Sequence, residues 1–457
     1  MMVSDNLKKF STSQLLNFCL GFFGLQFAWQ MRIILSGPLT ESFGASPLLF
    51  GLIWLAGPFT GIVVQPIIGA LSDNTETPFG RRIPYLMGGA ILGAIGLFLL
   101  PNSEVLASFL GGKAPWWCAL FIAAIMIWII DACVNAAQGP YRALIPDNMP
   151  REQHSVANSY LSFAIGLGSV IAAATAPVLK YVFNYQMSTA AQFYMAGIAF
   201  LLGMSWTCLT IRERKISKEE LKIEEENAKE EIRKSFIQNL KEFFALSPEV
   251  GKICTVQFFS WIGVMSLNIF FTQYVIHVLY QVPDLTAIPQ EFQSTYDTLV
   301  MSGQNFSSIC FAAFNLICFI IAIPIGKLAE RYGNKKVHFV ALLFMALAYV
   351  LLAFLPNPVS TIAAISLAGI GWASILALPF AMLSRYIKEG TEGSVMGIFN
   401  IFIAAPQILV CTLLAWFINI STTTINNMPN NHYEYAFLVG ALMLIFAAAT
   451  TLALKED

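Results

Sequence analysis

Twelve apolar runs, each long enough to cross about 30 Å of hydrocarbon as a helix, follow one another through almost the whole chain. They fall at roughly 13–36, 48–71, 83–101, 115–141, 155–180, 190–211, 251–277, 303–326, 337–356, 359–384, 393–418 and 433–454. Such a pattern leaves no soluble fold open. Charged residues make up 12% of the 457 and hydrophobic ones 57%, whereas a soluble domain carries about 25% charge. The expectation is an all-α, multi-pass membrane protein. The first run lacks a small-residue cleavage site and reads as a retained span.

Between spans six and seven lies the one strongly hydrophilic stretch, 212–242, rich in both signs of charge. Glu225–Lys229 and Glu230–Lys234 stand at i, i+4 with the acid first, the spacing of a solvated helix. It divides the chain into 1–211, a charged linker at 212–250, and 251–457, each flank holding six spans.

The lysines and arginines set the expected orientation. With the N-terminus in the cytoplasm, Lys8, Lys9, Arg81, Arg82, Arg142, Arg151, the 212–242 cluster, Lys327, Arg331, Lys335, Lys336, Arg385, Lys388 and Lys455 fall inside. Only Lys113 and Lys180 fall outside, with Arg32 near the outer end of span one. That is the positive-inside asymmetry, and it places both termini in the cytoplasm of a plasma (inner) membrane protein.

Two turns repeat. "GALSDNTETPFGRR" (69–82) follows span two, and "GKLAERYGNKK" (326–336) follows span eight. Each has a glycine, an acid four residues on, another glycine and two cations, in equivalent places of a six-plus-six chain. They resemble the loop signature of the major facilitator superfamily, whose acid and cations latch the cytoplasmic side. Asp73, Gly80, Arg81, Arg82, Glu330 and Arg331 are therefore expected at a cytoplasmic gate, with Arg142 at its mouth.

Asp131 sits inside span four, where a central charge costs about 2.5–3.5 kcal/mol on insertion scales. At about 100° per residue, Asn135, Gln138 and Arg142 lie about +40°, −20° and +20° round from it. A stripe of carboxylate, amides and guanidinium faces protein or a water-filled cavity. Arg142 is roughly 16 Å along the helix, too far to pair. A carboxyl without a fixed cation in such a place can exchange a proton. The plain alternative is a carboxylate paired permanently with an arginine of another span.

Span one contributes Gln26, Trp29 and Gln30 in "LQFAWQMR", and Arg32, which either snorkels outward or approaches Asp131. Amides bind hydroxyls and an indole covers the apolar face of a pyranose. Gln65, Asn158, Asn268, Asn315, Trp372, Asn400 and Gln407 are further polar or aromatic residues within apolar stretches. Singly each is helix–helix glue; as a set they fit a polar cavity. The eight cysteines show no metal or redox spacing, and the four histidines no catalytic one, so no cofactor, metal or enzymatic centre is expected.

Several segments together resemble the plant-type sucrose transporters and their relatives, proton-coupled disaccharide symporters of the major facilitator superfamily. They are "LQFAW" (25–29), "IWLAGPFTGIVVQPIIGALSD" (53–73), "FGRRIP" (79–84), "DACVNAAQGPYRAL" (131–144), "VANSYLSF" (156–163), "ALPFAMLS" (377–384) and "GSVMGIFNIFIAAPQ" (393–407). The resemblance implies twelve transmembrane helices in two six-helix bundles, alternating access driven by a proton gradient, and a proton carrier at the span-four aspartate, here Asp131. It implies a disaccharide such as sucrose or maltose as substrate, a lipid bilayer around a monomer, and no nucleic-acid partner. The longer stretch between Asp73 and Gly80 departs toward the related melibiose-type group, some of which use sodium. A sodium-coupled carrier, a uniporter and a non-transporting sugar sensor are the rival readings.

Overall fold

The computed structural model describes residues 8–109, 117–214, 236–283, 290–387, 392–425 and 428–455. Among them are twelve helices long and apolar enough to cross a membrane. The first six spans are Thr12–Ser42, Pro47–Asp73, Ile83–Ser108, Trp117–Asn148, Glu152–Phe183 and Thr189–Thr210. The second six are Pro248–Leu279, Gln293–Tyr332, Asn334–Phe354, Pro358–Ser384, Val395–Ile420 and Glu434–Leu452. Each expected run overlaps one helix. Several helices run past the apolar stretch that announced them. Span eight begins ten residues before the expected 303, because backbone hydrogen bonding continues a helix through polar residues that hydropathy does not count.

Local chemistry fixes the ends. Ser11 caps span one in a reciprocal box: Gln14 N–H donates to Ser11 Oγ, and Ser11 N–H to Gln14 Oε1. Ser46, Ser247 and Asn357 cap helices whose first turn opens on Pro47, Pro248 and Pro358. A proline there costs nothing, since its missing N–H would have no helical partner. Inside span two, Pro58 cannot donate to the carbonyl four residues back, and the helix divides at Leu55 into Pro47–Trp54 and Ala56–Asp73. A π-helical segment ends span seven at Tyr274–Leu279, and another interrupts span eleven at Val410–Leu414.

The chain divides into two compact units. The first holds Met1–Lys215, Val282–Ala312 and Thr424–Pro429, the second Ile216–Gln281, Ala313–Thr423 and Asn430–Asp457. The expected linker at 212–250 falls largely on residues 215–235, which lie outside the described residues, as do Lys113 and Lys388. Within the first unit, polar side chains of span eight meet the turn before span six. Asn305 Nδ2 donates to Gln186 Oε1 at 3.3 Å and Thr189 Oγ1 to Gln304 Oε1 at 3.4 Å.

Packing repeats between the units. In the first, span one packs on spans five and six, and span three on spans four and six. In the second, span seven packs on eleven and twelve, and span nine on ten and twelve. Glycines permit these approaches. A methyl on Gly203 would lie 2.5 Å from Leu20 O, and one on Gly369 2.6 Å from Phe314 O. No disulfide joins the eight cysteines among the described residues; six are buried and Cys208 and Cys318 half-buried, as small packing residues.

Candidate functional site

Span four delivers Asp131 to the interior of the first unit, where span one meets it with a cation. Arg32 Nη2 lies 2.6 Å from Asp131 Oδ2, and both residues are 0% exposed. The expectation of a carboxyl without a fixed cation is thereby corrected. Of the two paths open to Arg32, the structure takes the inward one. The length of span one explains it: the helix continues to Ser42, past the expected 36, so Arg32 lies well inside it and not at its outer end. The guanidinium is held in place by rings, with Cζ 4.2 Å from the Trp54 centroid and 5.3 Å from that of Trp29.

The second oxygen, Asp131 Oδ1, has no hydrogen-bond partner among the described residues. One turn on, Asn135 Nδ2 donates to Thr60 Oγ1 at 2.9 Å and to Asp131 O at 3.0 Å. Gly57 and Gly61 of span two keep this face open. A methyl on Gly57 would sit 3.6 Å from Asp131 Oδ2 and 3.8 Å from Trp29 Cη2, and one on Gly61 3.6 Å from Asn135 Oδ1. Gln30 is buried on span one, two residues before Arg32. The result is a neutral pair of opposite charges, an amide and two indoles, enclosed by three helices.

A second cluster forms where span two turns into span three. Asp147, at the end of span four, takes Arg81 Nη2 on Oδ1 at 2.8 Å and Arg82 Nε on Oδ2 at 3.0 Å. Asp73 Oδ1 meets Arg82 Nη1 at 2.5 Å. Glu213, just past span six, accepts the Arg82 N–H on Oε1 and Oε2 at 3.0 and 2.9 Å, and the Ile83 N–H at 3.3 Å. Its carboxylate therefore caps span three, where the helix dipole favours negative charge. Gly80, at φ +115°, is the turn that makes room for it.

The profile of the Major Facilitator Superfamily matches residues 18–290 and 253–457. The chain belongs to the Major Facilitator Superfamily. It is a transporter and not an enzyme, and an integral multi-pass membrane protein. It is 24% identical to the general alpha-glucoside permease of Schizosaccharomyces pombe, over 97% of this chain and 94% of that one. It is 25% identical to the sucrose transport protein SUT2 of Oryza sativa subsp. indica, over 85% of this chain and 83% of that one. In fold it is similar to the D-xylose-proton symporter (TM-score 0.66, 16% identity, 98% and 99% of the two chains). It is also similar to the nucleoside transporter NupG (TM-score 0.67, 14% identity, 98% and 100%).

Within this superfamily transporter the remaining expected residues scatter. Gln138 is half-buried, and Arg142 is exposed with Cζ 5.4 Å from the Phe22 ring centroid. Gln26 packs toward Gly168 of span five, and Gln65 toward Gly139 of span four. Asn158 is exposed and donates to His154 O on its own helix. In the second unit Asn268 and Asn315 are half-buried, Asn400 is exposed, and Gln407 donates back to Ile403 O. Trp372 stands between Trp261 and Phe314.

The two turns do not close alike. Glu330 and Arg331 are exposed, and Arg331 lies over the Tyr332 ring. No ion pair joins either of them among the described residues. The first turn closes because Asp147 and Glu213 reach it from elsewhere. Neither acid was anticipated, although Asp147 stands three residues past the quoted "DACVNAAQGPYRAL" (131–144) and Glu213 lies at the start of the charged segment after span six.

Proposed function

We propose that the protein is a proton-coupled symporter that imports a disaccharide, of the sucrose or maltose kind, by alternating access. The observation that carries this is the buried Arg32–Asp131 pair beside Asn135 and two tryptophans. The names of the similar permeases point to glycosides.

With Asp131 ionised, the pair is neutral and each charge satisfies the other. A proton arriving on the unpartnered Oδ1 neutralises the carboxyl and leaves the guanidinium as the only full charge of the pair. Arg32 then turns its donors to sugar hydroxyls, while Trp29 and Trp54 cover a pyranose face. Release of the proton on the far side restores the pair and expels the sugar. Each cycle thus carries one sugar and one proton. The Asp73–Arg82–Asp147–Arg81 cluster is the cytoplasmic latch in this reading, and both termini face the cytoplasm of the plasma membrane. Neither a metal nor an organic cofactor enters the cycle, and the monomer suffices for it.

The 2.6 Å closure of the pair favours a second reading, in which Arg32 and Asp131 are a fixed strut and the carrier is a uniporter or sodium-driven. Purified protein in liposomes loaded with a pH-sensitive dye separates the two. Sucrose and maltose are added outside in turn, with and without sodium. Lumenal acidification driven by one sugar, and lost in Asp131→Asn, is the expected result. Labelled sugar entering with no pH change would overturn proton coupling.

A further inference from the structure

Span one is tied to its neighbours through its backbone. The Tyr141 hydroxyl of span four donates to Phe18 O and accepts the Phe22 N–H at 3.2 Å. The Thr207 hydroxyl of span six donates to Asn17 O at 2.8 Å and accepts the Gly21 N–H at 2.9 Å. Residues 18 and 22, and 17 and 21, are i, i+4 pairs, whose carbonyl and N–H an uninterrupted helix bonds directly. Two side chains from elsewhere thus bridge two consecutive rungs of one helix, and a side chain let into the ladder is where a long helix bends. Both Tyr141 and Thr207 are buried. Gly21 makes the room, since a methyl there would lie 2.8 Å from Tyr141 Cε2 and 3.0 Å from Thr207 Oγ1. The Tyr141 ring is seated by Phe18 and Phe22, each with its centroid 5.1 Å away.

Spans one and four meet a second time at Arg32 and Asp131. Phe22 to Arg32 is ten residues along span one, and Tyr141 back to Asp131 is ten along span four. The two ties therefore stand about 15 Å apart on an antiparallel pair of helices. They differ in kind. The Arg32–Asp131 tie is a pair of charges and answers to a proton. The Tyr141 tie joins a neutral hydroxyl to backbone groups, and no proton transfer at Asp131 loosens it. A helix held at one point by a charge pair and at another by a neutral clasp turns about the clasp when the charge pair lets go.

We propose that Tyr141 and Thr207 are positioning residues for transport. They hold Asn17–Phe22 to spans four and six as the pivot about which the Arg32-bearing part of span one swings when Asp131 takes up a proton. The proposal rests on the proton-coupled reading above and adds to it two residues that lie outside the charge pair.

The test uses the full-length protein in liposomes loaded with a pH-sensitive dye, with calorimetry of sucrose and maltose binding in nanodiscs and thermal unfolding alongside. Tyr141→Phe and Thr207→Val remove the hydroxyls, keep the packing and let span one bond its own rungs, whereas Thr207→Ser keeps the hydroxyl. Sugar-driven acidification is expected to slow about tenfold in Tyr141→Phe and Thr207→Val. Their dissociation constants and unfolding temperatures should stay at the wild-type values, and Thr207→Ser should return the wild-type rate. A wild-type rate in either Tyr141→Phe or Thr207→Val overturns the pivot. So does a slower rate accompanied by a lower unfolding temperature, which marks a packing role, or by a weaker dissociation constant, which marks a sugar contact. Absence of acidification with the wild type overturns the proton-coupled reading itself, an outcome distinct from failure of the pivot, which leaves wild-type coupling intact.

Discussion

Arg32 Nη2 stands 2.6 Å from Asp131 Oδ2 across 99 residues of sequence, and neither side chain reaches solvent. Removing one partner of such a pair strands a charge. Asp131→Asn and Arg32→Leu are each expected to cost about 3–5 kcal/mol of stability. The double variant, with no full charge left, should recover most of that and still fail to couple transport. Thermal unfolding of the four proteins in detergent, with uptake into liposomes, checks both halves. A double variant no more stable than the singles would mean that the pair is not the reason for the loss.

The cluster of Asp73, Arg81, Arg82 and Asp147 predicts an order among its acids. Asp147 holds two arginines and is 13% exposed, whereas Asp73 holds one and is 50% exposed. Asp147→Asn is expected to destabilise by about 2 kcal/mol. Asp73→Asn should cost under about 1 kcal/mol, since solvent screens a half-exposed pair. Chemical denaturation ranks them, and equal losses would contradict the central place given to Asp147.

Glu213 makes a backbone prediction. Its carboxylate takes the Arg82 and Ile83 N–H groups at the start of span three. Glu213→Ala is expected to cost about 1 kcal/mol, as a lost cap does, and to speed amide exchange at residues 82 and 83. Gly80→Ala should do the same and cost more, because the methyl both meets the Glu213 carboxylate and forces an L residue to φ +115°. Protected amides in either variant would count against the cap.

Glycines separate by what stands behind them. A methyl on Gly24 would land on the Ala199 carbonyl of span six, whereas one on Gly69 meets nothing within 4 Å. Gly24→Ala is expected to lose about 1–3 kcal/mol by forcing spans one and six apart. Gly69→Ala should be neutral or gain about 0.4–1 kcal/mol through the unfolded chain. Unfolding midpoints of the two variants decide it.

Thr60 offers a milder test of the central cluster. Its hydroxyl is the side-chain acceptor for Asn135 Nδ2 at 2.9 Å. Thr60→Val keeps the shape and should cost about 1 kcal/mol, while loosening the amide that stands one turn from Asp131. Unchanged stability together with unchanged uptake would remove Asn135 from the site.

How far the sequence reached is visible residue by residue. Twelve spans could be read directly, because the free energy of placing a helix in hydrocarbon depends on the composition of that helix alone. The significance of Asp131 could be read for the same reason, since an acid in an apolar run is costly wherever the run packs. Helical periodicity put Asn135 beside it, and the structure keeps them together. The periodicity said nothing of Arg32, whose two paths were equal until span one was laid against span four. Two turns with one pattern looked equivalent, yet only the first closes, because Asp147 and Glu213 come from the ends of spans four and six. Asn158, Asn400 and Gln407 looked like ligand contacts and spend their amides on their own helix or on an exposed face. What the sequence by itself determined is the set of local free energies: which segments enter the membrane, and which residues are expensive there. Only the tertiary structure decided partnership, since whether a buried polar group is satisfied depends on atoms brought within 3 Å by helices far apart along the chain.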